Sequence, residues 1–476
     1  MMAQPNVLLV TVDHWFASLL RTAGHPAVRT PTLDELADLG TRYTNAYSES
    51  PVCIPARRSI MTGTPPRTHG DRLFQPTLPM PELPTAAQAF RNGGYQTYAV
   101  GKLHVWPQRD RIGFDDVLLA EEGRSEGGKA DDYETFLADH GHAGQQFGHG
   151  MSNNQYHWRP WHLPERFHVT NWCTQQMVRT IRRRDPNRPS FWYLSYTHPH
   201  PPLAPLRDYL DMYDPAEIDE PVIGDWARED LPYALRVRNS VDRPRRFGAR
   251  ETREARRAFY ALCTHIDHQL RLVIGTLREE GLQDSTAIVF TSDHGDMLGD
   301  HDLWAKRVFY ERSANIPMIV TGPAHDDRIA AGAVDDRVVG QQDIMPTLLD
   351  LAGVAIPDSV EGRSMLGPRR AEPLYCEFGE GAEASRMVTD GRSKLIYYPA
   401  GNRVQLFDTA ADPQELHDLS ADPAHAATRD RLVEALRDQL YGSDLAWISE
   451  GELVGEPEPL LRPVLDRGLN LQRGTR

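Results

Sequence analysis

The chain lacks any apolar run approaching the roughly 18 to 20 residues of a membrane span, so no membrane partner is expected. Positive charge is in deficit. The 52 Lys and Arg face 67 Asp and Glu, a formal net charge of −15, which argues against nucleic acid or an anionic surface as partner. Cysteine is scarce: Cys53, Cys173, Cys263 and Cys376 are the only four, with no C-x-x-C pair. That excludes a zinc knuckle and a disulfide scaffold. Internal repeats and low-complexity tracts are missing too. The opening Met1 to Asn6 has no basic stretch leading into a long apolar one, so no signal peptide is legible and the cytoplasm is the expected compartment. One local exception breaks the acidic balance. Residues 236–257 hold nine arginines against three acids, read as a solvated loop running into an exposed helix face.

What is present is ample apolar material, 40% of 476 residues, in ordinary globular proportions. Val7 to Val12 is a continuous apolar and β-branched run, as in a strand covered on both faces of a parallel sheet. Similar runs recur at Tyr98 to Val100, Phe191 to Tyr196, Ala287 to Thr291 and Ile316 to Val320. Helical patterns separate them. One opens at Thr32-Leu33-Asp34-Glu35, which has the form of a capping box. Another places Phe259, Leu262, Cys263, Ile266, Leu270, Val273, Ile274 and Leu277 at three-and-four spacing and stops at Gly281. Alternating strands and helices indicate an α/β fold with a large central, mostly parallel sheet flanked by helices. Beyond residue 370 the texture changes to short strand-like runs (Leu374 to Phe378, Lys394 to Tyr398, Val404 to Phe407) and a helix from about Arg429 to Leu440. The expected division is 1–370 for a catalytic domain and 371–476 for a small C-terminal α+β subdomain. From about Gly451 that subdomain runs into a terminal tail, or an arm on a neighbouring subunit of a homo-oligomer. Cys173 and Cys263 on helices and Cys376 on a strand are expected to be buried small hydrophobes.

Ligands in open α/β sheets bind beyond the carboxyl ends of the strands. Four apolar runs are followed there by chemically capable residues: Asp13-His14, Lys102 with His104, His198 with His200, and Asp293-His294. Two Asp-His pairs supply most of a mixed oxygen and nitrogen shell for a divalent ion; imidazole suits Mn²⁺ or Zn²⁺, whereas Ca²⁺ prefers oxygen alone. The segment Cys53-Ile54-Pro55-Ala56-Arg57 places Pro55 in the first turn of a helix ending at Gly63. Cys53 then sits at a helix N-terminus, where free N–H groups favour an anion. The aromatic and histidine-rich stretch from Gln146 to Trp172 is either a substrate-pocket wall or a loop packed on the domain.

These residues resemble the type I sulfatases of the alkaline phosphatase superfamily, whose C-x-P-x-R motif directs oxidation of its cysteine to formylglycine; here it is Cys53, Pro55 and Arg57. The resemblance extends through Asn6 to Asp13, Thr30 to Ala37, Thr44 to Ser48, Gly101 to His104, Thr197 to Pro201 and Ser292 to Gly299. In motif it is closest to the choline sulfatases and phosphonate monoester hydrolases. His14 departs from both, which carry Gln there. A second departure is Asp71-Arg72-Leu73-Phe74-Gln75, where relatives often carry an asparagine; Gln75 or Arg72 is the candidate replacement donor.

The resemblance implies an alkaline-phosphatase-like core and a formylglycine made from Cys53 by a maturation enzyme. It also implies one divalent metal ion (Mn or Ca) held by Asp13, His14, Cys53, Asp293 and His294. Arg57 would hold residue 53, and Lys102 and Lys306 would grip the ester oxygens. His104 would deprotonate the esterified diol. His200 would protonate the departing alcohol near neutral pH, with His198 its rival and a substrate contact. Three functions follow: hydrolysis of a small anionic sulfate ester, hydrolysis of a phosphonate monoester or phosphodiester on the same site, or binding without catalysis.

Overall fold

The apolar run at the start of the chain forms strand β1 (Asn6–Asp13), buried along its whole length. Its side chains divide by the pleat. Leu8, Val10 and Val12 enter one core layer, with Phe259 and Leu262 of the long helix Ala249–Glu279 and Cys173 and Met177 of the helix Val169–Arg182. Val7 and Leu9 enter the other, against the helices Ala86–Asn92 and Ile344–Ala352. Each such Val or Leu contributes about 1.5–3 kcal/mol on burial. The structure is a computed structural model. It describes residues 4–124, 130–228, 230–242, 247–324 and 326–461.

With β2 (Thr41–Tyr47), β3 (Gln96–Gly101), β4 (Asp116–Leu119), β5 (Ser190–Pro199), β6 (Thr286–Ser292), β7 (Met318–Thr321) and β8 (Ala333–Gly340), β1 makes an eight-stranded sheet. The order is β4-β3-β5-β1-β6-β7-β2-β8. Only β7 runs against its neighbours. Its apolar run could not reveal that direction. The β6–β7 connection has no long crossover helix, only the short helical turns Asp300–Asp302 and Glu311–Ala314, so the chain turns back into the sheet at the edge it left. The other seven strands all end at that same edge.

The mostly parallel sheet and the small C-terminal sheet expected from the sequence are both present. In the latter, β9 (Leu374–Phe378), β10 (Ser385–Thr389), β11 (Ser393–Tyr398) and β12 (Arg403–Asp408) pair antiparallel in the order β12-β11-β10-β9. One face packs Met387, Ile396 and Phe407 on Phe309 and Tyr310 of the larger unit. The other is covered by Leu432 and Leu436 of the helix Ala426–Arg437, three residues earlier than the pattern indicated. A hairpin, β13 (Ile448–Ser449) with β14 (Glu452–Leu453), follows. Residues 462–476 of the expected tail lie outside the described residues. Cys173, Cys263 and Cys376 are buried, as expected.

Two local expectations fail for long-range reasons. No capping box forms at Thr32. The helix begins at Pro31, and the N–H groups of Thr32 and Leu33 donate to the Asp267 carboxylate of the long helix at 3.0 and 2.9 Å. A distant acid thus caps what sequence spacing assigned to a local one. The arginine-rich stretch is not uniformly solvated either. Arg256 is 1% exposed, its guanidinium held between Asp219 and Asp300. Arg236 pairs with Glu458 and Arg238 with Glu383; residues 243–246 lie outside the described residues.

Candidate active site

Five neighbouring parallel strands, β4-β3-β5-β1-β6, deliver reactive groups to one edge. Adjacent strands lie about 4.8 Å apart, so side chains from strand ends converge without long loops. Glu122 follows β4, Lys102 and His104 follow β3, His198 and His200 close β5, Asp13 ends β1 and Asp293 follows β6. The segment after β2 brings Cys53 to the same edge, at the first position of the helix Cys53–Thr62. Gly63 ends that helix at φ 65°, a conformation glycine adopts without strain.

Cys53, 1% exposed, places Sγ 3.3 Å from His294 Nε2 and 3.8 Å from Asp13 Oδ1. His294 Nε2 lies 3.5 Å from Asp13 Oδ1 and 3.7 Å from Asp293 Oδ1. The Nδ1 of His294 is 2.9 Å from the Gly295 carbonyl. A carbonyl only accepts, so Nδ1 carries the hydrogen and Nε2 offers its lone pair to the cluster. The ligating atoms of Asp13, Cys53, Asp293 and His294 all lie within 4.8 Å of one another. This donor set fits a divalent cation: two buried carboxylates and the Nε2 of one imidazole face one point.

His14 stands beside this group, with left-handed backbone (φ 77°). Its Nδ1 meets Asp296 Oδ2 at 2.6 Å, an oxygen that also accepts from the Tyr156 hydroxyl. Its Nε2 lies 2.5 Å from Lys306 Nζ and 3.7 Å from Asp13. Asp13, His14 and His200 form a second set of close ligating atoms. Lys306 Nζ also donates to His200 Nε2 at 3.3 Å, and it meets no carboxylate at ion-pair distance among the described residues. Lys102 bridges Asp13 and Glu122.

Arg57 donates from Nε to Asp293 at 3.0 Å and from Nη1 to the Lys102 carbonyl, Tyr193 and Ser195. Its buried Nη2 has no partner among the described residues. His104 is similar: its backbone N–H donates to Glu121, its ring meets Phe74 edge-on, and both buried ring nitrogens lack partners among the described residues. Arg57 and His104 thus both carry buried polar atoms without partners among the described residues. His198 sits one step back. Its Nδ1 donates to the His200 carbonyl at 3.1 Å and its ring lies 5.2 Å from that of His168.

Electrostatics follow from this crowding. Burial works to raise the Asp13 pKa, but Lys102, His200, His14 and His294 hold it well below the usual carboxylate range. Burial and the Asp13 charge push Asp293 up. Burial and Asp13 oppose ionisation of Cys53, yet Lys102, Lys306 and His294 leave the thiol below its ordinary value. Burial, with Arg124, Lys102 and Arg57, keeps His104 neutral. Burial also lowers His200, to about 3, with Lys306 adding to the effect and Glu122 opposing it. The expectation of a His200 titrating near neutrality therefore fails in the free site.

Neither proposed replacement donor reaches the cluster. Arg72 is committed to Glu377 and Asp444, and Gln75 donates to Asp71; Phe74 faces the site instead. Sequence reasoning missed Glu122, Arg124, Asp296 and Ser195, and it offered Tyr156 only as part of the Gln146 to Trp172 stretch. Glu121-Glu122 were findable, since they follow the apolar run of β4 as the other site residues follow theirs. The aromatic stretch divides: Phe147, His149 and Trp161 line a cleft beside His198 and His200, whereas Phe167, His168 and Trp172 are core.

A sulfatase family model matches residues 5–354, and a model of the N-sulphoglucosamine sulphohydrolase C-terminal region matches residues 299–441. The chain is 33% identical to an arylsulfatase of Clostridium perfringens over 97% of its own length and 100% of that protein's. It is 31% identical to a choline-sulfatase of Rhizobium meliloti, over 88% and 83%. Among solved structures, the phosphonate monoester hydrolase of Agrobacterium radiobacter superposes with a TM-score of 0.77. That match covers 95% of this chain and 100% of that one at 24% identity, a likeness of fold alone.

Proposed function

Because the chain belongs to the sulfatase family of sulfuric ester hydrolases, we propose that it cleaves a small sulfate ester through a formylglycine made from Cys53 and one divalent metal ion, Mn or Ca. The carrying observation is the buried convergence of Cys53 with Asp13, Asp293 and His294, flanked by Lys102 and Lys306. Asp13, Asp293, His294 and residue 53 would hold the metal, with His14 a further ligand. The imidazole favours Mn over Ca. A bound divalent cation would neutralise the carboxylates and supply Lewis-acid stabilisation. Hydrated formylglycine supplies two hydroxyls on one carbon, one to attack sulfur and one to expel sulfate as the aldehyde reforms. A maturation enzyme is the implied partner, the cytoplasm the compartment, and residues 1–370 the catalytic unit.

The chain's own residues do the rest. Arg57 fixes Asp293 and keeps a buried Nη2 without a partner among the described residues, a donor that could hold the modified residue 53. Lys102 and Lys306 set fixed positive charge where the transferring group carries negative charge. His200 is the imidazole whose Nε2 faces Lys306 in the cluster, so it takes the leaving-group role ahead of His198, which contacts the alcohol. Burial and Lys306 suppress its protonation in the free site; an anionic ester between the lysines offsets that field and lets Nε2 carry the proton to the departing oxygen. His104, held neutral, is the base for the remaining hydroxyl.

A second reading, phosphonate monoester or phosphodiester hydrolysis, draws on the imidazole ligand at 294. One preparation of measured aldehyde content separates the two. Assayed on 4-nitrophenyl sulfate, an aryl phosphonate monoester and a diaryl phosphate, it is expected to show the highest kcat/KM on the sulfate. A higher kcat/KM on the phosphonate or the phosphodiester would transfer the assignment to the second reading.

A further inference from the structure

Before any modification residue 53 is a thiol, and it stands among three other side chains at the spacing of a tetrahedral zinc site. Zinc bonds of about 2.0–2.3 Å at tetrahedral angles set neighbouring ligand atoms about 3.3–3.6 Å apart. Cys53 Sγ lies 3.3 Å from His294 Nε2 and 3.8 Å from Asp13 Oδ1. His294 Nε2 lies 3.5 Å from Asp13 Oδ1 and 3.7 Å from Asp293 Oδ1. Every pair in the set falls within 4.8 Å, so small side-chain shifts close the tetrahedron.

The far atom of each companion ligand is already held. Lys102 bonds Asp13 Oδ2, Arg57 Nε donates to Asp293 Oδ2 at 3.0 Å, and His294 Nδ1 donates to the Gly295 carbonyl at 2.9 Å. Asp13 Oδ1, Asp293 Oδ1 and His294 Nε2 are left on the side of Cys53, the outer-sphere arrangement that orients metal ligands. Asp293 Oδ1 also accepts from the His294 N–H at 2.9 Å, and a carboxylate oxygen has a second lone pair. Charge agrees. A thiolate and two carboxylates exceed the two charges of the ion, and Lys102 and Arg57, bonded to those carboxylates, offset the excess.

Sulfur decides which ion is preferred. A thiolate is a soft ligand that selects Zn²⁺ over Mn²⁺ or Ca²⁺, whereas a hydroxyl on residue 53 is a hard oxygen. Four protein ligands also close a tetrahedral zinc shell, as in structural sites, and leave no position for an ester. Loading exchanges the S–H bond for a metal–sulfur bond and sends the proton to solvent; nothing is oxidised.

We propose that the unmodified chain is a zinc-thiolate protein, holding one Zn²⁺ through Cys53, Asp13, Asp293 and His294 in a shell closed to substrate, and that conversion of Cys53 switches the same site to a harder, open one. This rests on the metal assignment above. The test uses two preparations of full-length protein, one made without a maturation enzyme and one of confirmed aldehyde content. Both are stripped with a chelator and titrated with Zn²⁺ in competition with Mn²⁺. The unmodified form is expected to take up one Zn²⁺ per chain, with a Zn-to-Mn affinity ratio about 100-fold above that of the aldehyde form. Loaded with Co²⁺, it should show a sulfur-to-metal charge-transfer absorption that is absent from the aldehyde form and from Cys53→Ser. Equal affinity ratios in the two forms, or a Co²⁺ spectrum without the sulfur band, overturn the thiolate inference, while sulfate-ester turnover by the aldehyde form leaves the reading above standing. An aldehyde form inert on every sulfate ester removes that reading and leaves the zinc site to its own spectrum. A chain that binds no divalent ion in either form takes both down.

Discussion

Two clusters of buried charge in this molecule are built to opposite plans. In the C-terminal sheet, Lys394 is fully buried and its ammonium meets three acceptors: the Phe309 carbonyl at 3.0 Å, Glu311, and Glu415 at 2.9 Å. Arg386 is likewise spent on Asp444 and the carbonyls of Phe378, Gly379 and Ser385. At the strand-end edge, Lys306 faces two imidazoles, Arg57 keeps an idle Nη2, and His104 has two idle ring nitrogens, all counted among the described residues. In the first plan the cations are met by acceptors within the chain, and Lys394 ties the small sheet to the large one. The second leaves donors and acceptors without partners among the described residues. Incomplete satisfaction, not burial or charge, separates the reactive cluster from the structural one.

The largest expected effect removes a carboxylate from the incomplete cluster. Asp293→Ala deprives both the metal position and Arg57 of a partner, and kcat/KM on a sulfate ester should fall on the order of 10³-fold or more, with metal content falling in parallel. Retained turnover would break the comparison at its centre. In the complete cluster, Lys394→Met strands Glu311 and Glu415 without their cation. Unfolding in urea should show a loss of about 3–5 kcal/mol, while the folded fraction keeps its specific activity. Lys306→Met should do the reverse, costing about 10²- to 10³-fold in kcat with stability within about 1 kcal/mol of the parent. A variant pair that loses both properties together would erase the distinction.

Which parts of this were legible in the sequence follows from distance along the chain. Five of the eight strands of the large sheet (β1, β3, β5, β6 and β7) announced themselves because burial on both faces demands continuous apolar runs, whereas the partly exposed β2, β4 and β8 did not; Cys53 through Gly63 carries its own helix signals. Asp13, Lys102, His200 and Asp293 were findable because parallel strands end in reactive loops. Strand order was not legible, nor was the reversal of β7, since apolar runs carry no direction. The Asp267 cap on the helix Pro31–Leu39 and the burial of Arg256 depend on partners far away in sequence. The low pKa of His200 also escaped, because it depends first on burial and then on Lys306, 106 residues further on.

The smallest effect concerns histidines that stay neutral for structural reasons. Burial lowers His69 and His265 to about 3, and His25 and His301 to about 4, from 6.5. The unfolded chain takes up protons below 6.5 that the folded chain refuses. Their contribution is therefore intact above pH 6.5 and is lost as pH falls from there toward 3–4. Urea midpoints should decline over that range. His265, with both ring nitrogens unpartnered among the described residues, offers the cleanest control: His265→Phe should recover about 1 kcal/mol of the loss at about pH 5.5. An unchanged acid limb in that variant would place the proton uptake elsewhere.

The proposal that Cys53, held against Asp13, Asp293 and His294, is converted to an oxygen-bearing aldehyde is read directly by peptide mass spectrometry. Protein produced with and without an active maturation enzyme should differ at the peptide containing Cys53, the thiol being replaced by an aldehyde or its hydrate only in the first. Sulfate-ester turnover should rise in proportion to the converted fraction and vanish in Cys53→Ala. Full turnover by protein whose Cys53 peptide is entirely unmodified would contradict the account.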